Sequence, residues 1–191
     1  MSKIGIIGAG AWGTSLAIVL RRAGNEVVLQ AHEPETVNYI NKEHVNRTFL
    51  PSIILDPHIY ATNEISEALD TDAVFLVTPA QHLREVCKKA APDWSNEVPA
   101  IICTKGLEQN TYALMGEVFS ALLPGIPVAV LSGPTFAIEV AQNLPTAVTL
   151  ACENESLSKI LMNYMNSQNF RIYRSCDEIG AQIGGAIKNV I

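Results

Sequence analysis

Six residues near the amino end, Gly8-Ala9-Gly10-Ala11-Trp12-Gly13, constrain this chain more than any other stretch. They follow residues 3–7 (KIGII), which read as a strand, and precede residues 14–22 (TSLAIVLRR), which read as a helix. Strand, G-x-G-x-x-G and helix in that order form the arrangement that cradles a dinucleotide pyrophosphate. Gly8 is expected to make the tight turn. Gly10 leaves room for the phosphates, and Gly13 lets the helix pack close to the strand. The free N–H groups at the helix start, just beyond Ala11 and Trp12, then face the phosphates, aided by the positive end of the helix dipole.

The rest of the chain alternates strands with helices. Gly24-Asn25 breaks the first helix, and 26–31 (EVVLQA) forms the second strand. Pro34 suits the first turn of a helix over 34–43. Residues 44–58, with Pro51 and Pro57, read as a surface loop. A short strand at 59–61 and a helix capped by Asn63 and running to 69 come next. The apolar run 73–78 (AVFLVT) suits a parallel strand covered on both faces. Helices are expected at 80–90, 111–123, 135–142, 155–166 and from 178. Strands are expected at 99–104, 127–131, 147–151 and 170–173. Parallel neighbours need helical crossovers, which are right-handed. The fold class is therefore α/β, a doubly wound and mostly parallel Rossmann-type sheet, with its ligand at the carboxyl ends of the strands. The dinucleotide-binding domain is expected over 1–178, and 179–191 is expected to open a helical substrate domain that is truncated here.

Composition narrows the partners. The chain has 191 residues, 48% hydrophobic and 17% charged, enough for a large core. A net charge of −6 argues against a nucleic-acid partner and leaves an anionic ligand to local cations and amides. Cys87, Cys103, Cys152 and Cys176 show no paired spacing and read as buried, reduced thiols of a cytoplasmic protein. The four histidines lack ligand spacing, so no metal is expected. No apolar run reaches the ~18 residues of a membrane span, and no signal peptide is expected ahead of the first strand.

NAD sites place an acid near the end of the second strand, on the ribose 2′-hydroxyl. Here that region reads Gln30-Ala31-His32-Glu33. His32 stands about where the acid is expected, and Glu33 is one step on. A histidine donates to a 2′-phosphate, so NADP(H) is favoured and NAD(H) stays open. A polar strand-end residue without a ligand is the plainer account of His32.

Three later segments carry chemistry. Lys105, in Thr104-Lys105-Gly106, follows a buried strand and is placed to grip an anionic substrate or to lie at the nicotinamide end; a solvated loop lysine fits the segment equally well. Ser132-Gly133-Pro134-Thr135 follows the next strand, with Pro134 preset for a first helical turn and the amides beyond Gly133 forming a second anion-accepting helix start. A structural turn is its rival. The last helix holds Gly180, Gly184 and Gly185, each about 1 kcal/mol worse than alanine, so a close neighbour is expected there. Lys188 lies one turn on, as a base held in apolar surroundings or as a surface lysine.

Together these segments resemble the bacterial-type NAD(P)-dependent glycerol-3-phosphate dehydrogenases. The likeness runs through GAGAWGTSLA (8–17), CTKGLE (103–108), LSGPTFAIEVA (131–141), LPTAV (144–148) and GGAIKNV (184–190), in the family's order across almost the whole chain. The resemblance implies hydride exchange between sn-glycerol 3-phosphate and dihydroxyacetone phosphate with NADP(H) or NAD(H), feeding phospholipid synthesis. It implies cofactor contacts from Trp12, His32 and Ala137, and contacts to both cofactor and substrate from Lys105. Gly133 and Thr135 would contact the substrate, and Lys188 would transfer the proton. Ala11 stands where relatives often carry serine. Family members continue into a helical substrate domain, so this length of chain is expected to bind cofactor and to turn over substrate poorly. The expected partners are a small phosphate ester and, as an assembly, a homodimer. Two rivals are a hydroxy-acid dehydrogenase of the same architecture and a non-catalytic dinucleotide-binding module.

Overall fold

The central strands carry apolar side chains on both faces, so the sheet has to be covered on both sides. The computed structural model describes residues 1–187. The elements are β1 (Lys3–Ile7), α1 (Ala11–Arg22), β2 (Glu26–Gln30), α2 (Pro34–Glu43), β3 (Val45–Asn46), β4 (Leu50–Ile54), β5 (Ile59–Thr62), α3 (Ile65–Leu69), β6 (Ala73–Leu76) and α4 (Ala80–Ala90). They continue with β7 (Ala100–Ile102), α5 (Met115–Leu122), β8 (Val128–Ser132), α6 (Ala137–Ala141), β9 (Thr146–Ala151), α7 (Glu155–Tyr164), β10 (Phe170–Ser175) and α8 (Glu178–Ile187). Eight strands form one sheet in the order β10-β9-β8-β7-β6-β1-β2-β5. From β5 through β8 all neighbours are parallel. The β8–β9 pair is antiparallel, and β10 runs parallel to β9.

Period-two alternation sorts the strand residues between two cores. Ile4, Ile6, Phe75 and Ile101 join residues of α1, α2, α6 and α7 in one. Ile7, Val74, Leu76 and Ile102 join α3, α4 and α5 in the other. The chain leaves β1 toward β2 and β5 on one side, then returns to β6 on the other. The crevice at the carboxyl ends of β1 and β6 is the switch point where such sheets bind ligands.

Several local expectations are corrected. The first helix starts at Ala11, not at 14. Residues 44–58 are not a plain loop: β3 and β4 pair as an antiparallel ribbon that tolerates Pro51. Asn63 does not cap α3. Glu64 is the N-cap, and the Asn63 amide donates to the carbonyls of Ala31 (2.9 Å) and His32 (3.3 Å), fixing the exit of β2. The helix expected from 111 begins at Met115, because Asn110 and Tyr112 adopt left-handed φ of 73° and 58° and Leu107 bridges Leu114. The helix expected at 135–142 is the short α6, with Phe136 as N-cap, so Pro134 lies outside its first turn. Cys87, Cys103 and Cys152 are buried free thiols, whereas Cys176 is exposed. Burial pushes the Cys87 thiol up to about 12. Among the described residues no helix is long and apolar enough to cross a membrane. The described part of α8 packs on the second core through Ala181, and buried Gln182 accepts the Gly116 N–H at 2.7 Å.

Candidate active site

The glycine loop after β1 is built by steric necessity. Gly8 has φ +113°, a region L side chains avoid, and its N–H donates to Gln30 O at 3.0 Å. At Gly13 a Cβ would lie 1.9 Å from Gly8 O, so α1 packs against the loop only because that atom is missing. Gly10 differs from both. It is the N-cap of α1 in extended backbone, no side chain caps the helix, and a Cβ there would meet nothing within 4 Å. The first-turn amides of Ala11, Trp12 and Gly13 have no intrahelical acceptor. No acidic residue lies in the first turn, while Arg21 and Arg22 sit in the last, so the helix offers its positive end to the loop.

That end opens into a cavity of about 770 Å³, a size that suits a large small-molecule ligand. Gly8, Gly10, Ala11, Trp12 and Gly13 line its floor. His32 and Glu33 line it at the end of β2, both exposed and within one residue of each other. Lys105, Thr135 and Ala137 close the far side. Lys105 Nζ donates to Gly133 O at 2.9 Å and lies 5.8 Å from the centroid of the Trp12 ring, within cation–π range. Cys103 also lines the cavity; burial pushes its thiol up, so it serves as wall and not as nucleophile.

Gly133 faces a second, smaller cavity of about 370 Å³, bordered by Ser132, Thr149, Gly184 and Gly185. A Cβ at Gly185 would lie 2.8 Å from Ser132 Oγ and 3.6 Å from Lys105 Cγ. Of the three glycines in α8, Gly185 thus has the expected close neighbour. Gly184 faces open space, and a Cβ at Gly180 would strike Asp177, whose carboxylate accepts the Gly180 N–H at 2.7 Å. Lys188 lies outside the described residues.

Side-chain bonds hold the two sides of the large cavity in register. Ser15 Oγ donates to Ala137 O at 2.7 Å, and Arg22 donates to Ala141 O at 2.7 Å and Val140 O at 3.2 Å, tying α1 to α6. The loop carrying Lys105 is latched to α4. Arg84 grips Glu108 with two bonds of 2.7 and 2.8 Å, and Gln81 donates to Leu107 O at 2.9 Å. Those Arg84 bonds hold the Glu108 carboxyl at about 2, well below the usual range.

Sequence reasoning missed Asn46, Phe49, Thr78, His82 and Lys89. All but Asn46 line the cavity, and Asn46 sits beneath the loop. Phe49 belongs to the ribbon segment read as loop, and only the sheet order brings Thr78 beside Gly8. The cavity fits a dinucleotide on two counts. The cradle at Gly10 is open where a phosphate has to sit. Trp12 Nε1 and Thr78 Oγ1 are buried polar atoms on its wall without hydrogen-bond partners among the described residues, a state that costs about 1–3 kcal/mol per group unless a ligand or water meets it. No cluster of metal-ligating side chains lies among the described residues.

Doubly wound sheet, glycine loop and cavity at the switch point define a Rossmann-type dinucleotide-binding domain. The sequence profile described as NAD-dependent glycerol-3-phosphate dehydrogenase N-terminus matches residues 3–158, and the chain belongs to that family. It is 56% identical over its full length to a glycerol-3-phosphate dehydrogenase [NAD(P)+] of Paramagnetospirillum magneticum, of which it covers 70%. It is 52% identical to the enzyme of that name from Rhodospirillum rubrum, covering 55% of it. A crystal structure of glycerol-3-phosphate dehydrogenase from Coxiella burnetii superposes with a TM-score of 0.93 at 37% identity, over 99% of this chain and 58% of that one. The chain thus spans between about half and two thirds or slightly more of these relatives.

Proposed function

We propose that the full-length protein interconverts sn-glycerol 3-phosphate and dihydroxyacetone phosphate using NADP(H) or NAD(H). One observation carries the reading: the uncapped start of α1 and the Lys105 ammonium border the same cavity, so one space offers a pyrophosphate seat and a cation for a phosphate ester. When bound, the nicotinamide group accepts or supplies hydride at the reacting carbon. The remaining work falls to the chain. The Ala11, Trp12 and Gly13 amides hold the pyrophosphate. His32 offers a donor to a 2′-phosphate and Glu33 an acceptor to a 2′-hydroxyl, which supports use of either cofactor. Lys105 neutralises the substrate anion, with Gly133 and Thr135 beside it. Lys188, assigned from the GGAIKNV likeness, takes the hydroxyl proton in oxidation and returns one to the carbonyl oxygen in reduction. The fit of Gly185 against Ser132 and Lys105 supports that role, because it brings α8 to the substrate end. The family likeness supports supply of phospholipid synthesis as the purpose, and the free thiols support a cytoplasmic setting.

The test is reduction of dihydroxyacetone phosphate by full-length protein, with NADPH and NADH in parallel, for wild type and Lys188→Ala. Turnover by the wild type is expected with both cofactors. Lys188→Ala should lose turnover by roughly 100-fold or more and keep NADH affinity within about twofold. Undiminished turnover in the variant, or a preference for small 3-hydroxy acids over glycerol 3-phosphate, overturns the proposal.

A further inference from the structure

Asn46 is fully buried, and its side chain serves the glycine loop before it serves its own ribbon. Nδ2 donates to the Ala9 carbonyl at 2.8 Å and to Thr14 Oγ1 at 2.8 Å. Thr14 Oγ1 donates in turn to the same Ala9 carbonyl at 3.4 Å. On the other side, Asn46 Oδ1 accepts the Phe49 N–H at 3.1 Å, and Phe49 borders the large cavity. An amide buried this deeply carries a desolvation cost that only its hydrogen bonds offset. The two Nδ2 bonds converge on one peptide group of the loop, directly and through Thr14 Oγ1.

We propose that Asn46 is a positioning residue for the dinucleotide pyrophosphate, acting through the Ala9–Gly10 peptide. The inference rests on the reading above that the cavity takes a dinucleotide. A trans peptide points its C=O and N–H in opposite directions, and no cis peptide occurs among the described residues. Holding the Ala9 carbonyl on the buried side commits the Gly10 N–H to the other side, and Gly10 borders the cavity. Rotation of that peptide turns on ψ of Ala9 and φ of Gly10, and glycine at 10 leaves the second of these little restrained. A rotated peptide would aim a carbonyl oxygen at the anion and reverse one dipole of the amide nest. Asn46 thus fixes the polarity of the loop, while its bond to Phe49 couples the cavity wall to the same anchor.

The probes are ADP-ribose, which carries the pyrophosphate, and adenosine, which does not. Both are titrated calorimetrically into full-length wild type, Asn46→Ala and the near-isosteric Asn46→Asp. Circular dichroism and thermal melting check each fold. Wild type should bind ADP-ribose far more tightly than adenosine; equal affinities would sink the dinucleotide reading itself. If that reading holds, both variants should lose tenfold or more in ADP-ribose affinity, with adenosine affinity within twofold of wild type. Unchanged ADP-ribose binding, or equal losses for the two probes, overturns the positioning role. So does failure of both variants to fold, because it assigns Asn46 to the architecture alone.

Discussion

The turns after β1 and after β8 look alike as sequence, each passing from a buried strand through glycine toward a helix, yet the structure uses them differently. After β1 the helix begins at Ala11, directly beyond Gly10, and runs for 12 residues. After β8, residues 134–136 intervene, α6 has 5 residues, and Phe136 stands at its N-cap. So short a helix aligns few peptide dipoles, and its start is not an anion seat of the α1 kind. The glycines differ too. A Cβ at Gly10 would enter open cavity, whereas one at Gly133 would lie 3.1 Å from Ala147 O and 3.2 Å from Val148 Cα. Gly10 leaves space for a ligand, and Gly133 leaves space for the antiparallel strand β9. A glycine after a strand therefore marks an anion site only when open space lies beyond it and a long helix stands behind it.

Gly13→Ala tests the first turn most severely. Its Cβ would lie 1.9 Å from backbone at Gly8, so urea unfolding of the full-length protein should show a loss of about 3 kcal/mol. A loss near zero would mean that α1 is not held by this contact. Lys105→Met comes next, since it keeps the stem beside Gly185 and removes the charge. KM for dihydroxyacetone phosphate should rise roughly 100-fold, with NADH affinity changed by less than about threefold. A loss of NADH affinity with KM for dihydroxyacetone phosphate unchanged would place Lys105 at the cofactor alone. Gly133→Ala should cost about 1 kcal/mol of stability through its contacts with β9 and leave ADP-ribose binding unaltered. Weaker ADP-ribose binding would erase the distinction between the two turns.

Glu108→Gln has the smallest expected effect and probes the latch on the Lys105 loop. The Glu108 carboxyl is held at about 2 by Arg84, below the unfolded value of about 4.3. Its stabilisation is therefore fully present above the unfolded value and is lost as pH falls from there toward about 2. Acid titration of wild type and Glu108→Gln should give unfolding curves that differ at neutral pH and converge in that window. Curves that stay parallel through it would show that the latch does not stabilise the fold.

The sequence made the frame legible where local chemistry is self-sufficient. The apolar run at 73–78 and the glycine spacing at 8–13 each depend on near neighbours, and both announce the right elements in the right order, although the strand ends at Leu76 and the helix starts at Ala11. What escaped depends on distant partners. Asn46 and Phe49 reach the site only because the β3–β4 ribbon folds back over the glycine loop. Asn63 looks like a cap until the carbonyls of Ala31 and His32 come within reach. The reversal at β9 has no local mark, since its apolar pattern suits either direction. The left-handed backbone at Asn110 and Tyr112 shortened α5 in a stretch where propensity alone allowed helix.

Gly10→Ala in the full-length protein separates the ligand's need for glycine from the fold's, because nothing in the fold needs that position empty. Its unfolding midpoint and its NADH affinity should be measured together. Stability should stay within about 1 kcal/mol of wild type, and NADH affinity should fall at least roughly tenfold, because the added methyl occupies the pyrophosphate seat. Unreduced NADH affinity in a stably folded variant would contradict that placement of the pyrophosphate.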